Sequence, residues 1–533
     1  DVLVLSTTYL TKLATKGNVV IESSGAKFTT FTLAGFSVNS LASSVRIGKT
    51  DDTQSAITTA STATIAANGS VSIYGGTLTI GGAVTANSSG SILLKAGTDI
   101  LVSNNLTTTG GPITLWSDSD NANQGGILVD SASTISTSGG AVALGGGNGA
   151  TALDGYAKAS EAIKSSSNST AFSGIRFLGD VNSGAGNITM RGADSITNIG
   201  SSSHNAGIEI EKTASFTTTS GDVTFDGYVP AASASSAGNH IGMLIGWGPT
   251  GAAITTITTV DGDINLKGSS VDRNIANSSG LWMVNLAVSS TSGKIIAEGY
   301  SGSLSNGSLK SLGSSFISPG GAISATTDSN GAAAIFNGST AWSSDTSVTM
   351  SVYNPSVSSL ALNGTGDKVF ESPTDSTGFS SAITNVFTVA SNSKSLRIGK
   401  TTNNQAVTFS TNDISVAGPL TAYGSDITLN RSLTSTALGA DILLKGTGTI
   451  TQAASTTVKT NGGDITYWAN SASGSNGYIS VGTAAVIDSR TNTGRAGVSA
   501  ASTTLTGGGQ ITLAGGLDDG ANGGTAKIGR AHV

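Results

Sequence analysis

GDINLKG (Gly262–Gly268) has near-copies elsewhere in the chain: GNITMRG at 186–192, GDVTFDG at 221–227 and GKIIAEG at 293–299. Each copy has a glycine, one variable residue, a β-branched residue and, two positions later, an apolar residue. This alternation of apolar and variable positions is typical of a strand that buries one side. The glycine in front predicts a turn before each strand.

A longer pattern appears when the copies are aligned on their β-branched residue. Eight segments carry it, and they begin at Leu106, Ile135, Val181, Phe216, Ile257, Val288, Phe316 and Val458. Ser or Thr follows two residues after each start, Gly after five, and Ile or Val after seven. The pattern predicts a strand end, a tight corner and a strand start, with glycine providing backbone angles that a side chain would forbid. The apolar residue and the hydroxyl fall on one side of the strand, so we expect a ladder of internal hydroxyls beside an apolar core.

The spacing between corners varies, although the corner itself does not. Consecutive Ile/Val positions are 21 to 46 residues apart, which is typical of a solenoid whose insertions leave as loops. A second strand is indicated by Ile208, Met243 and Val284, each 20 residues after a corner residue, and by Ile127 and Ile479, each 14 after one. The sequence therefore predicts an all-β fold: a right-handed parallel β-helix (β-solenoid) with three short strands per coil and variable loop insertions.

Composition excludes several classes of protein. The chain has 533 residues, 73 of them Gly, with no Cys, 11% charged residues and a net charge of −6. The negative charge disfavours a nucleic-acid partner. The apolar runs are far shorter than the roughly 20 residues that span a bilayer, so we expect no membrane insertion. Without Cys, disulfides and thiol chemistry cannot contribute.

A long duplication is also visible. Residues 44–145 match 395–514: RIGKT recurs at 46–50 and 397–401, ILLK at 92–95 and 442–445, and a tryptophan at Trp116 and Trp468. We predict partial β-helix coils over 1–43, repeat block A over 44–150 and repeat block B over 395–526.

Between the blocks we predict a β-helix with longer loop insertions over 151–394. The final residues, IGRAHV, resemble a translated sequencing adapter, so we predict a non-native tail over 527–533 and a chain that is a fragment of a longer protein.

The RIGKT motif invites comparison with a phosphate-binding loop. Such a loop needs a glycine five residues before the second one, but Ser43 and Lys394 stand there. No helical pattern follows either copy, so we interpret RIGKT as a structural repeat.

Two predicted loops carry carboxylates of the kind that bind calcium. Asp118 and Asp120 lie in DSDNANQGG, but the duplicate from Ala469 has no carboxylate. The GGLDDGANGG stretch at 515–524 lacks the nonapeptide calcium repeat. We interpret both as solvated loops and predict no metal site.

The polar residue beside the corner glycine is often a carboxylate, and paired carboxylates on one face could be catalytic. These residues are Asn187, Asp222, Asp263, Lys294, Asp426, Asp441 and Asp464. Their identity varies, and Asp and Asn suit corners because they hydrogen-bond nearby amides. We interpret them as corner residues, and we predict no catalytic and no cofactor-binding residue.

The histidines and two tryptophans complete the candidates. His204 and His240 are isolated in stretches that predict loops, and His532 lies in the terminal tail, so the histidines indicate neither a triad nor a zinc site. Trp247 and Trp282 suit stacking on sugars, but packing in the core or at a corner is the alternative that we favour.

The corner repeats, the Gly/Ser/Thr/Asn-rich composition, the lack of Cys and the duplication resemble bacterial filamentous-haemagglutinin-like adhesins, the exoproteins of two-partner secretion and related autotransporter passengers. The resemblance covers residues 1–526 and implies a secreted or cell-surface bacterial protein, not an enzyme and without cofactors. It implies an extended scaffold for multivalent adhesion to a surface receptor or glycan. It also implies an outer-membrane transporter for the full-length protein.

Three alternatives stay open. A carbohydrate-active β-helix enzyme would place paired carboxylates in a groove. A passive structural surface fibre would have no cleft and no exposed aromatic cluster. An ice-binding face, suggested by the TTT runs at 107–109 and 217–219, is disfavoured because the repeated hydroxyl is predicted to point inward.

Overall fold

The computed structural model describes residues 2–3, 12–25, 27–35, 37–122, 124–160, 163–165, 168–194, 204–230, 239–247, 253–271, 278–301, 307–327, 333–374, 378–384, 387–472, 477–491 and 508–516. These residues form strands, turns and loops, with no helix among them. The chain divides into two compact units, Asp1–Lys310 and Ser311–Val533. Each unit is a parallel β-helix, so the predicted fold is confirmed; the right-handed winding is the expected one for parallel crossovers.

Most coils contribute one strand to each of three faces, which we number in chain order. In the first unit, face 1 consists of Val2–Leu3, Asn18–Ile21, Ser44–Ile47, Val71–Gly75, Ile92–Ala96, Ile113–Ser117, Val142–Gly146, Ala157–Lys158, Ile188–Ala193, Val223–Val229, Ile264–Ser270 and Ile295–Ser301. Face 2 consists of Thr30–Leu33, Ala56–Thr59, Thr77–Ile80, Ile100–Val102, Ile127–Val129, Asn168–Phe177, His204–Glu211, Asn239–Trp247 and Ser278–Val284. Face 3 consists of Lys12–Leu13, Ser37–Val38, Thr64–Ala67, Ala83–Ala86, Leu106–Thr108, Thr134–Ser136, Asp180–Gly184, Ser215–Thr218, Thr255–Thr259 and Leu286–Ser290. Lys164–Ser165 pairs antiparallel with Asn168–Phe177.

The second unit repeats this arrangement. Its face 1 consists of Ile323–Thr327, Ser347–Ser351, Asp367–Glu371, Ser395–Ile398, Leu420–Gly424, Ile442–Gly446, Ile465–Ala469 and Ile511–Gly515. Its face 2 strands are Ala333–Asn337, Asn354–Val357, Ile383–Thr384, Val407–Phe409, Ile427–Leu429, Ile450–Gln452 and Ile479–Val481. Its face 3 strands are Ser315–Ile317, Thr340–Ser343, Leu360–Asn363, Phe387–Val389, Ile414–Val416, Leu433–Leu438, Thr457–Asn461 and Val486–Asp488. Leu309–Leu312 is a further strand at the boundary of the units.

The corner residues stack as the sequence predicts. On face 1 the register runs through Ile113, Val142, Ile188, Val223, Ile264 and Ile295, all of them buried. On face 2 Ile208 pairs with Met243, as predicted. The prediction for Val284 is wrong, because Leu281 is the residue in register with Met243. The 20-residue count fails there because the preceding loop in that coil has a different length.

The predicted internal hydroxyls are buried, and they bond to the backbone. Thr108 Oγ1 donates to Gly111 O at 2.5 Å and Ser183 Oγ donates to Gly186 O at 2.5 Å. Ser290 Oγ accepts from Gly293 N at 2.9 Å and lies 3.1 Å from Gly262 O in the preceding coil. The hydroxyls therefore tie each corner together and tie it to its neighbour, which removes the repeated hydroxyl from any ice-binding surface.

The corner glycines are needed for a different reason from the one that the sequence suggested. Gly262 and Gly293 do not have positive φ. A Cβ on Gly262 would lie 2.0 Å from Gly221 O, and one on Gly293 would lie 1.9 Å from Gly262 O. Glycine is required because the stacked corners approach one another too closely for a side chain.

The polar residue beside each corner glycine joins consecutive coils. Asp222 N donates to Asn187 Oδ1 at 2.9 Å, and Asp263 N donates to Asp222 Oδ1 at 2.9 Å. Asp464 N donates to Asp441 Oδ1 at 2.7 Å in the second unit. Each Asx side chain thus satisfies the amide that opens the next face 1 strand, as the structural interpretation predicted.

The boundary of the compact units, at Lys310, falls inside the predicted middle segment 151–394. The duplicated strands occupy equivalent places: Ser44–Ile47 and Ser395–Ile398 both lie on face 1, as do Ile92–Ala96 and Ile442–Gly446. Block A therefore belongs to the first unit and block B to the second. The predicted tail at 527–533 lies outside the described residues.

Candidate functional site

An outward-facing row of large side chains crosses face 1 in block A. The alternation that buries Ile73, Leu94 and Leu115 turns their neighbours outward. The outward neighbours Tyr74, Lys95 and Trp116 stand in register on consecutive strands, and each is half-buried.

Block B carries the same row. Tyr423, Lys445 and Trp468 are in register on consecutive strands and are half-buried. We call these two sets, together with Arg46 in block A and Arg397 in block B, the outer rows. Duplication has therefore produced the same surface twice, once in each unit.

The rings of both rows are held in place. Lys95 Nζ lies 4.0 Å from the centroid of Trp116, and Lys445 Nζ lies 4.0 Å from that of Trp468. The indole N–H of Trp116 donates to Gly147 O at 2.6 Å, and that of Trp468 donates to Gly516 O at 3.0 Å. Because both the polar edge and one cationic contact are fixed, each indole is preorganised rather than mobile.

RIGKT forms the elbow at the start of each row. Its glycine, Gly48 or Gly399, has a φ of 79° or 78°, and a Cβ there would lie 2.1 Å from Tyr74 O or 2.6 Å from Tyr423 O. The elbow turns the chain, and in block B the following lysine, Lys400, lines the same cleft as Arg397. RIGKT is thus structural, as predicted, and it also orients charged groups.

Each arginine at the elbow is fixed from two sides. Arg46 donates through Nη1 to Gly48 O at 2.9 Å, and its Nη2 lies 2.9 Å from Glu22 Oε2. Arg397 donates through Nη1 to Gly399 O at 3.1 Å and through Nη2 to Glu371 Oε2 at 2.6 Å. The two guanidinium groups are therefore positioned alike.

In block B these side chains line a surface cleft of about 540 Å³. Its lining consists of Glu371, Arg397, Lys400, Thr401, Thr402 and Tyr423. Lys400 Nζ lies 3.8 Å from Glu371 Oε1. The cleft joins a phenol ring, two cations and one carboxylate, which can stack on a flat ligand and hydrogen-bond to its substituents.

A second cleft lies on face 1 between the blocks. It has a volume of about 200 Å³, and its lining includes Asp226, Lys267 and Glu298, which are in register on three consecutive strands. Tyr156 donates through its hydroxyl to Asp226 Oδ2 at 2.8 Å, and Arg191 Nη2 lies 3.5 Å from the same oxygen. Burial, and then the bond to Asp226, raise the pKa of Tyr156.

The segment DSDNANQGG, interpreted from the sequence as a solvated loop, is only partly as predicted. Asp120 is exposed and caps Ala122 N at 3.1 Å. Asp118, by contrast, is buried and its Oδ2 lies 3.0 Å from Lys158 Nζ. The interpretation as a solvated loop is therefore wrong for Asp118, because the insertion that carries Lys158 folds back over it. The described residues contain no group of three His, Cys, Asp or Glu able to hold a metal; of the other candidate, 515–524, all but its first two residues lie outside the described residues.

His240 and the two central tryptophans are packed. His240 was expected in a loop, but it lies in the strand Asn239–Trp247, buried and bonded through Nδ1 to Asp194. Trp247 and Trp282 have ring centroids 5.4 Å apart and pack against the cluster Ala206, Ile241 and Leu244. Packing, the favoured interpretation, is confirmed for both tryptophans. The structure does not describe the side chain of His204, and His532 lies outside the described residues.

Sequence reasoning missed the outer rows. Trp116 and Trp468 served only as markers of the duplication, and Tyr74 and Tyr423 were not noted. The available signal was the alternation in ILLK: since Ile92 and Leu94 point inward, Lys95 must point outward. Recognising the neighbour of Lys95 required the register between coils, which the variable spacing hides.

No helix in the described residues is long and apolar enough to cross a membrane. Comparison of the chain with protein-family models, with curated proteins and with solved structures found no match. The resemblance to filamentous-haemagglutinin-like adhesins accordingly stays a prediction.

Proposed function

We propose that this protein is a bacterial adhesin that is secreted or displayed on the cell surface, and that the outer rows are its contact surfaces. The observation that carries the proposal is the recurrence of Tyr, Lys and Trp, in register and half-exposed, on face 1 of both blocks. Aromatic and cationic side chains that are held in place contribute most of the binding energy at many protein interfaces.

Two copies on one chain suit multivalent adhesion. When one row is bound, the second row encounters the same surface at a raised effective concentration, so weak contacts combine. The partner would be a receptor or glycan on a cell or another surface, and an outer-membrane transporter would export the full-length protein. Nucleic acid is not the proposed partner, because the chain carries a net charge of −6.

The test is retention of the whole chain on immobilised cells and on a glycan array. The double variant Trp116→Ala/Trp468→Ala should bind at least about tenfold more weakly, since each substitution removes an anchoring ring. Tyr478→Ala removes an exposed aromatic side chain at the edge of face 2, away from the rows, and serves as the matched control. Equal binding by the double variant and the wild type would refute the proposal.

An enzyme is the second candidate, because Asp226 and Glu298 flank Lys267 in the 200 Å³ cleft. Glu298 is two strands away from Asp226, and adjacent strands are about 4.8 Å apart, so the two carboxylates stand about 10 Å apart, near the separation found in inverting glycosidases. The assay is the release of reducing ends or unsaturated sugars from polysaccharides. If the protein turns over a polysaccharide and Asp226→Asn abolishes that turnover, the enzyme replaces the adhesin proposal. The absence of both binding and turnover would favour a passive surface fibre.

A further inference from the structure

We infer that the outer rows bind an acidic saccharide, a sugar that carries a carboxylate or sulfate group, and that block B binds it more tightly than block A. This inference rests on the proposed adhesive function and names the ligand of the same surfaces. The chain as a whole has 32 acidic and 26 basic residues, yet cations prevail on the outer rows. The block B row carries Arg397 and Lys445, and Lys400 and the carboxylate of Glu371 line the adjoining cleft.

The geometry of the block B cleft suits a sugar with an anionic group. Tyr423 offers a ring face next to the two elbow cations. Glu371 aligns the guanidinium group through Arg397 Nη2, and 37% of the arginine side chain stays exposed to solvent. A carboxylate or sulfate group at the mouth of the cleft would meet two cations already held in place, so little side-chain entropy is lost on binding.

Block A has the same row but a more acidic elbow. Asp51 takes the place of Thr402, and both residues are exposed. Lys49 donates to Gly25 O, whereas Lys400 lies beside Glu371 in the cleft. The added negative charge and the different position of the lysine both lower the attraction of block A for an anion.

The same chemistry could come from a polyuronate or from a sulfated glycan. Both present an anion on a ring that can stack on tyrosine or tryptophan. The ring of Tyr423 and the two elbow cations would accept a planar carboxylate and a tetrahedral sulfate alike. The common requirement is the anion, so the experiment must vary the anion while the sugar backbone length is held constant.

The test is titration of the whole chain with three probes of matched length: an oligouronate, a heparin-derived oligosaccharide and a neutral dextran oligomer. We expect the anionic probes to bind at least about tenfold more tightly than dextran at low salt, and this preference to shrink as salt screens the charges. Arg397→Gln should weaken the anionic probes about tenfold and leave dextran unchanged. Lys459→Gln removes an exposed cation on face 3 and is the matched control.

Two exchanges between the blocks test the ranking without disturbing buried groups. Thr402→Asp should weaken anionic binding by about two- to fivefold, and Asp51→Thr should strengthen it by a similar factor, as expected for exposed charges. Both variants are informative even if Arg397→Gln fails to fold. Dextran binding equal to that of the anionic probes would overturn this inference and leave adhesion standing, whereas cell binding without binding to any saccharide would redirect the proposal to a protein receptor.

Discussion

On face 1, blocks A and B keep the same outward-facing row, although residues of the core have changed. Outward-facing Tyr74, Lys95 and Trp116 recur as Tyr423, Lys445 and Trp468. The inward positions have changed: Leu115 and Val102 are both buried and apolar in block A, but block B has Tyr467 and Gln452 there, with the Tyr467 hydroxyl 2.9 Å from Gln452 Oε1.

The paired change in the core has a simple cause. A buried hydroxyl needs a hydrogen-bond partner, so tyrosine at 467 is tolerated because glutamine stands at 452. Gln452 is itself satisfied, since its Nε2 donates to Thr456 O and Val486 O, both at 3.1 Å. Burial raises the pKa of Tyr467, which keeps the hydroxyl protonated as the donor.

This contrast supports a binding role for the outer rows. Inward residues are limited by packing and outward residues are not, so divergence after duplication should appear first outside. Along the outer rows the opposite is found, although exposed residues beside the rows have changed, as Asp51 and Thr402 show. A contact between Lys and Trp at an exposed site is worth only about 0.5–1 kcal/mol, which is a weak structural reason for keeping four outward residue types in two copies.

The largest effect is expected where the blocks are alike, at the stacked corners. A Cβ on Gly111 would lie 2.1 Å from Gly90 O, and one on Gly463 would lie 2.1 Å from Ala440 O. Gly111→Ala and Gly463→Ala should each lower the free energy of unfolding of their unit by about 3 kcal/mol or more, because backbone must move. Denaturant unfolding measures the loss.

Gly25→Ala is the control, because the nearest atom to a Cβ there is Ser23 Oγ at 3.6 Å and its φ is not positive. A loss below about 1 kcal/mol at both corners would show that the coils can separate locally. The close approach of the corners would then not be the reason for glycine.

The same corners show what the sequence could and could not predict. Their spacing predicted the fold and the register of Ile113 with its successors, because each corner is a local pattern repeated in every coil. It did not predict the close contact between glycines, nor Leu281 in place of Val284, because both depend on how coils with unequal loops align. The Lys95–Trp116 contact was missed for that reason too. His240 was predicted in a loop because Gly and Asn stand beside it, but it lies near the start of a strand that is longer than in the regular coils.

A second contrast concerns the coil before each elbow. Val19 is buried in register with Val45, and Lys368 is buried in register with Leu396. Burial lowers the pKa of Lys368 to about 8, although Asp345 and Asp367 oppose the shift; its Nζ donates to Ser344 O at 3.1 Å. Lys368→Met should therefore stabilise the second unit by up to about 3 kcal/mol at pH 7.

The sign of the pH dependence follows from the lowered pKa. Between pH 8 and the ordinary lysine value of 10.5, the unfolded chain binds a proton that the folded chain has released, so wild-type stability rises with pH across that window. The advantage of Lys368→Met should shrink as pH rises through it. Thermal unfolding at several pH values measures this, with exposed Lys459→Met as control. A constant advantage would mean that Lys368 titrates normally.

The smallest effect is expected at Asp52 and Asn403, which occupy the same place behind RIGKT. Their Oδ1 atoms accept from Gln54 N at 3.0 Å and from Gln405 N at 3.1 Å. Asn403 Nδ2 also donates to Tyr423 O at 2.8 Å. Asp52 Oδ2 is buried and has no hydrogen-bond partner among the described residues, and a carboxylate oxygen cannot donate to the equivalent carbonyl of Tyr74.

Asp52→Asn should therefore raise the free energy of unfolding of the first unit by about 1 kcal/mol, because an amide can donate where the carboxylate cannot. Asn403→Asp should lower the free energy of unfolding of the second unit. The control Asp51→Asn, at an exposed position, should change the free energy of unfolding of the first unit little. Since Tyr74 belongs to the outer row, the new bond would also fix the backbone below its ring, so Asp52→Asn should make block A bind more like block B. A stabilised first unit with unchanged saccharide binding would separate the elbow's structural role from its role in positioning the row.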